Sequence, residues 1–183
     1  MSRYERIFLT GFMGSGKSTV TPRLARCLGY ESVDLDTLIS RYLGMSIPGV
    51  FDVLGASTFR KTETELLLGT GSRSNVVISL GGGSVVSDEN LRFCLENGFL
   101  VYLKASDSFL ADRLSGSLRN RPMLFGDDGT MLDGEALRTR VAALLSERAS
   151  SYERAHMTVD VDDLSLGTIA KQICTAIKTE GAG

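Results

Sequence analysis

Residues 11–18 read GFMGSGKS and follow the apolar run Ile7-Phe8-Leu9-Thr10. This is the P-loop pattern G-x-x-x-x-G-K-[ST], a glycine-rich turn between a buried strand and a helix. Gly11, Gly14 and Gly16 let the backbone turn so that its N–H groups point inward around phosphate oxygens. A helix starting near Lys17 adds the positive end of its dipole. Lys17 is placed to reach the β- and γ-phosphates, and Ser18 to offer a hydroxyl to Mg²⁺. Gly14, Ser15, Gly16, Lys17, Ser18 and Thr19 are therefore the candidate nucleotide-binding residues. A glycine turn before an ordinary helix is the bland alternative, and Lys-Ser in register behind an apolar strand speaks against it. The chain is expected to bind a nucleoside triphosphate.

Around this motif, apolar runs alternate with longer amphipathic stretches, as in βαβ units on a parallel sheet. The pattern predicts strands over 6–10, 32–34, 76–80, 99–104 and 157–161. Helices are predicted over 17–28, 37–42, 58–68, 88–96, 107–114, 135–150 and 166–177. Two stretches break the rhythm. Residues 44–55 are punctuated by Gly44, Pro48, Gly49 and Gly55 and can host a small helical insert. Residues 115–134 are polar, rich in Gly and Asp, and carry Arg119 and Arg121; so long a loop in a compact domain is either functional, often a lid, or disordered.

At 183 residues the chain suits one domain, here 1–178, with a frayed tail at 179–183. A net charge of −2 argues against a nucleic-acid footprint or a polybasic membrane patch. No apolar stretch is long enough to cross a bilayer, and no targeting peptide is read before the first strand. Cys27, Cys94 and Cys174 are widely spaced and odd in number, so they are expected to be buried, reduced thiols of a cytoplasmic protein. His156 is the only histidine, too few for a His-based metal site.

Several chemical groups fall at predicted strand ends, where open parallel sheets bind ligands. Asp34 and Asp36 lie in VDLD after the second strand. On an extended segment, residues two apart share a face. One carboxylate can then serve Mg²⁺ through water while the other accepts a proton from an attacking hydroxyl. Helix capping by Asp36 is the competing explanation. Gly81-Gly82-Gly83 ends the third strand and allows close backbone approach to a ligand. Arg60 has Glu63 three residues on, which alone reads as a surface ion pair, and Arg148 lies near the end of a long helix.

Taken in order, these pieces resemble the shikimate kinase family. The resemblance rests on GFMGSGKS, Asp34 and Asp36, Ile47 and Phe51, Phe59-Arg60 with Glu63, Gly81–Gly83, Arg121-Pro122-Met123-Leu124, and Arg148 with Tyr152. It covers nearly the whole chain. It implies an α/β fold of the P-loop NTPase, nucleoside-monophosphate-kinase-like kind. That fold is a five-stranded parallel sheet sandwiched by helices, with a substrate-binding insert (about 36–63) and a lid (about 115–130). It implies Mg²⁺-dependent transfer of the ATP γ-phosphate to the 3-hydroxyl of shikimate, in chorismate and aromatic amino-acid biosynthesis. Lys17, Asp36 and Arg121 are then the catalytic set. Asp36 is the favoured base and Arg121 the lid arginine that reaches the ATP phosphates. Ser18 and Asp34 match the metal-holding pair. Arg60 and Arg148 match the arginines that grip the shikimate carboxylate, with Gly81, Gly82 and Gly83 against the substrate. A monomer is expected, with shikimate and ATP as partners and neither nucleic acid nor membrane. Arg113 and Arg119 are the candidates to contact adenine.

The chain departs from the family pattern at Ala56 (usually Glu), at Met123 (usually Leu), at Ser150-Ser151 (usually Pro-Leu) and at Ala155-His156, where the usual Ala is displaced. None of these removes a charged group assigned to chemistry. Other small-molecule kinases of this fold, acting on gluconate or nucleotides, are the nearest alternative. A nucleotide-binding switch or partner-binding protein is the second. Asp36, Arg60, Arg148 and the triple glycine together favour a cyclic carboxylated alcohol, and no NKxD-like guanine signal is present.

Overall fold

The computed structural model describes residues 4–115, 122–126, 130 and 132–180. Five parallel strands form one sheet in the order β2-β3-β1-β4-β5: β1 (Arg6–Thr10), β2 (Glu31–Asp34), β3 (Val76–Ser79), β4 (Phe99–Lys104) and β5 (Met157–Asp160). The helices among the described residues are α1 (Lys17–Leu28), α2 (Leu35–Leu43), α3 (Ile47–Val53), α4 (Gly55–Gly69), α5 (Asp88–Asn97), α6 (Asp107–Ser115), α7 (Gly134–Tyr152) and α8 (Leu166–Glu180).

Both faces of the sheet are covered, which is why its central strands read as unbroken apolar runs. Successive side chains alternate faces. Ile7, Leu9, Val77, Val101 and Leu103 pack on one side with Val20 and Leu24 of α1 and Ile173 and Ile177 of α8. Phe8, Ile78, Leu100 and Tyr102 pack on the other with Leu35 and Ile39 of α2, Leu67 of α4 and Leu91 of α5. The order reverses at β1, whose neighbours β3 and β4 lead to opposite edges. The P-loop follows β1, at the position where doubly wound sheets bind ligands. Ser79 of β3 pairs with Leu9 on one side and Asp34 on the other. The P-loop, the aspartates and the glycine triplet thus leave the sheet along one row.

Every predicted strand is present, with ends shifted by at most one residue. The helices differ more at their ends. α2 starts at Leu35 because Asp34 caps it, its Oδ1 accepting from the Thr37 backbone N–H at 3.0 Å. The capping explanation for Asp36 therefore fails, and so does the extended backbone from which its facing was argued. Asp36 lies within the first turn of the helix. Segment 44–55 contains α3, with Ser46 as its cap. α7 continues through Ser150 and Ser151 to Tyr152, where a proline would have stopped it. α8 runs past 177 to Glu180, into the stretch expected to be a tail.

The cysteines correct a second expectation. Cys27 on α1 and Cys174 on α8 form a disulfide, with a Cα–Cα distance of 6.4 Å across 147 residues of sequence. Packing of the two helices makes the pair, so nothing in local spacing announces it. The argument for a reducing compartment from dispersed thiols falls with it. Cys94 is free and buried, and burial pushes its thiol pKa up. His156 braces the sheet: its Nδ1 accepts from the Leu100 N–H at 3.0 Å, and its ring stacks on Phe99.

Candidate active site

Gly16 caps α1 with φ 98°, a left-handed conformation that glycine adopts without strain. No side chain caps the helix, so its first N–H groups face the loop that a phosphate would fill. The Ser15 hydroxyl is buried in this loop with no hydrogen-bond partner among the described residues. An orphaned polar atom inside a nest of backbone donors suits an anionic ligand. Lys17 is nearly buried and its ammonium donates to the carbonyls of Gly11 at 2.7 Å and Phe12 at 3.0 Å, folded along the loop it would leave to meet phosphate.

Ser18 donates its hydroxyl to Asp34 Oδ2 at 3.0 Å. Asp34 therefore works at both ends, capping α2 through one oxygen and facing Ser18 through the other. Among the described residues no group of three or more His, Cys, Asp or Glu could hold a metal by itself. A hydroxyl beside a carboxylate fits Mg²⁺, which takes its remaining ligands from water and phosphate. Asp36 is exposed and opens onto the cleft. Its carboxyl is nevertheless partly withdrawn from solvent, and its pKa is raised from the usual value to about 6. Loss of solvent is the largest cause and the Asp34 charge the next; Glu63 adds, while Lys17 and Arg60 oppose.

The glycine triplet gathers the other polar groups. A methyl at Gly81 would sit 2.8 Å from Glu63 Oε1 and 3.2 Å from Asp36 Oδ1. At Gly82 it would lie 3.5 Å from Arg148 Nη1, and at Gly83 only 2.7 Å from Arg60 Nη2. Three successive residues without Cβ let an acid and two guanidiniums close on one stretch of backbone. Arg60 pairs with Glu63 at 2.6 Å, and Glu63 also accepts from the Ser84 hydroxyl. Arg148 is 6% exposed and donates to the Gly82 carbonyl at 3.2 Å. Among the described residues no carboxylate pairs with it. Ile47, Phe51 and Phe59 complete an apolar wall, and the cleft holds about 540 Å³.

Residues 13–178 match the family described as shikimate kinase. The chain belongs to the shikimate kinase family. It is 45% identical over 157 residues to a shikimate kinase of Salinibacter ruber, covering 86% of this chain and 77% of that protein. It is 40% identical over 177 residues to one of Chlorobium limicola, covering 97% and 88%. The fold superposes on a shikimate kinase from Acinetobacter baumannii solved in complex with shikimate, with TM-score 0.87 and 31% identity over 98% of this chain and 96% of that one. ATP-dependent phosphoryl transfer is the chemistry of this family.

Of the residues singled out from sequence for a shikimate kinase, Gly14, Gly16, Lys17, Ser18, Thr19, Asp34, Asp36, Arg60, Gly81, Gly82, Gly83 and Arg148 line one cleft. Arg113 lines it too, its guanidinium over the Phe109 ring at 5.2 Å. Ser15 lies just beneath the surface. Arg121 and Arg119 lie outside the described residues. The sequence expectation for Glu63 is a surface ion pair with Arg60. It is instead 0% exposed, holding Arg60 from below. Ser84, Phe12 and Tyr152 supply partners that sequence reasoning did not assign. For Tyr152 the available signal was its place one helical turn after Arg148.

Proposed function

We propose that this cleft transfers the γ-phosphate of ATP to the 3-hydroxyl of shikimate, a step toward chorismate and the aromatic amino acids. Arg148 carries the reading: a buried guanidinium without a carboxylate partner among the described residues, sharing a cleft with Asp36 and the P-loop, calls for an anionic acceptor. Arg60, held by Glu63, is the second arm for that carboxylate. Asp36 accepts the hydroxyl proton, and its raised pKa suits a base working near neutrality. Lys17 and the backbone donors of residues 14–19 hold the phosphates and offset charge as the phosphoryl group moves. Ser18 and Asp34 would hold Mg²⁺, which supplies charge neutralisation on the transferring group. Arg121, on the lid at about 115–130, closes over the phosphates and excludes water. The substrate-binding insert is about 36–63. The protein acts as a monomer, in the cytoplasm, where its co-substrate ATP is found.

ADP release by the purified protein with Mg²⁺-ATP, measured separately with shikimate, gluconate or nucleoside monophosphates, tests the reading. Stimulation by shikimate alone is expected. Stimulation by another acceptor would discard the carboxylate clamp. ATP binding without stimulation by any acceptor would point to a binding or switch protein.

A further inference from the structure

Among the described residues, the neighbours of Arg148 are unusual for a buried cation, because none carries charge. Nη1 meets the Gly82 carbonyl, Nη2 lies 3.7 Å from Met123 Sδ, and the guanidinium carbon sits 5.4 Å from the centre of the Phe12 ring. A thioether and an aromatic face are weak, compliant partners. The firm contact is the carbonyl, and it belongs to the middle of three glycines, whose backbone no Cβ restricts.

That carbonyl has a second donor. Tyr152, 0% exposed, donates its hydroxyl to Gly82 O. Arg148 and Tyr152 stand four apart on α7, so they reach the same oxygen side by side. The phenol itself is immobile: its ring stacks on Tyr102 at 4.9 Å and is packed among the residues below the sheet. Burial raises its pKa, with the Arg148 charge and a hydrogen bond from the Arg148 side chain opposing, so the phenol stays protonated and touches both the carbonyl and the guanidinium that share it. A fixed donor on a flexible acceptor fixes the acceptor.

We propose that Tyr152 is a positioning residue for anion recognition: it pins the Gly82 carbonyl and thereby sets the direction in which Arg148 presents its guanidinium to the carboxylate of the acceptor. This rests on Arg148 being a carboxylate-binding arm. The two arms are then held by different means. Arg60 is aimed by an acid, Glu63, and Arg148 by a neutral carbonyl that a phenol locks, so no carboxylate among the described residues compensates the Arg148 charge ahead of the ligand. Ser150 and Ser151 contribute by letting α7 continue to Tyr152, which keeps the hydroxyl on the same helical face as the guanidinium.

The test is Tyr152→Phe in the full chain, which keeps the ring stack and removes only the hydroxyl. KM is measured for shikimate, for its carboxamide and for ATP, alone and in an Arg148→Ala background, together with the melting midpoint. The KM for shikimate is expected to rise about five- to twentyfold, because an unpinned Gly82 carbonyl lets the guanidinium leave the direction that meets the carboxylate. The preference for acid over amide should fall by the same factor, with ATP KM and the melting midpoint nearly unchanged. In the Arg148→Ala background the second substitution should add less than about twofold. An unchanged KM for shikimate overturns the proposal. So do equal losses for acid and amide, full additivity with Arg148→Ala, or a large fall in melting midpoint, any of which makes Tyr152 a brace for the fold. If Arg148→Ala alone leaves the acid preference intact, the carboxylate-arm reading fails first and takes this proposal with it.

Discussion

Asp36 titrates near pH 6, well above an ordinary aspartate, because the cleft walls strip water from its charged form and Asp34 repels it. Below that pH the free protein carries a neutral acid that cannot accept a proton. The kcat/KM for shikimate is therefore expected to fall about tenfold per pH unit on the acid side of pH 6. Lys17 already favours the ionised form, and bound Mg²⁺ would favour it further, so the acid limb of kcat should lie at lower pH. Asp36→Asn should lower kcat about a hundredfold or more and flatten that limb; an unchanged rate would remove Asp36 from the base role. The sign for stability is opposite. The folded chain holds this proton more tightly than the unfolded one, so this group favours the fold increasingly as pH falls from about 6 toward 4. For the guanidiniums, Arg60→Ala and Arg148→Ala should each raise the shikimate KM about 10- to 100-fold, with ATP KM little changed. Steady-state kinetics with each substrate varied separately reads the difference. A parallel rise in ATP KM would mark either arginine as structural.

The turn after β3 is the element on which the polar groups depend. Its three glycines differ in what a side chain would strike. At Gly81 an added methyl meets the Glu63 carboxylate, which is fixed by Arg60 and Ser84. At Gly83 it meets the end of the Arg60 side chain, 43% exposed and able to swing away. Gly83→Ala is accordingly expected to raise the shikimate KM about tenfold and to lower the melting midpoint less than Gly81→Ala does, since displacing Arg60 loosens its pair with Glu63 but moves no buried group. Gly81→Ala should lose both stability and activity, as the methyl presses on a group that cannot move. Thermal melts paired with kinetics separate the two; equal effects at both positions would mean the turn simply shifts as a body. The order of acid, first arm and second arm around this turn is a property of α2, α4 and α7 converging there, each delivering one group.

Across the molecule, α1 joins the site to the far side of the fold. It begins at the P-loop and ends near Cys27, where the disulfide ties it to α8. Lys178 of α8 adds a hydrogen bond to the Cys27 carbonyl at 3.1 Å. At the opposite end of α8, the Leu166 side chain lies against Gly16, where a methyl would approach it to 2.9 Å. The two helices thus meet at the P-loop and again at the bridge. Closing so long a loop restricts the unfolded chain, a contribution of about 2–4 kcal/mol. Reduction with dithiothreitol is therefore expected to lower the melting midpoint by about 5–10 °C. Cys174→Ser should melt at the lower temperature and respond no further to the reductant. An identical midpoint with and without reductant would show that packing of α1 on α8 suffices.

The sequence by itself determined the sheet, because a strand covered on both faces must be apolar throughout and a phosphate loop must follow one of them. It also determined the cleft's charged inventory, since Lys17, Asp34, Asp36, Arg60 and Arg148 stand at strand ends and on helices at readable positions. Only the tertiary structure decided how those groups are held. Asp34 rather than Asp36 caps α2, Glu63 is buried rather than a surface partner, and Cys27 finds Cys174. Tyr152 and Arg148 converge on a carbonyl 66 residues from Arg148 in sequence. Periodicity reports which face of an element is apolar, and it does so locally. A hydrogen bond, an ion pair or a disulfide between distant segments depends on how whole helices settle on the sheet, and that is fixed by packing that no local pattern records.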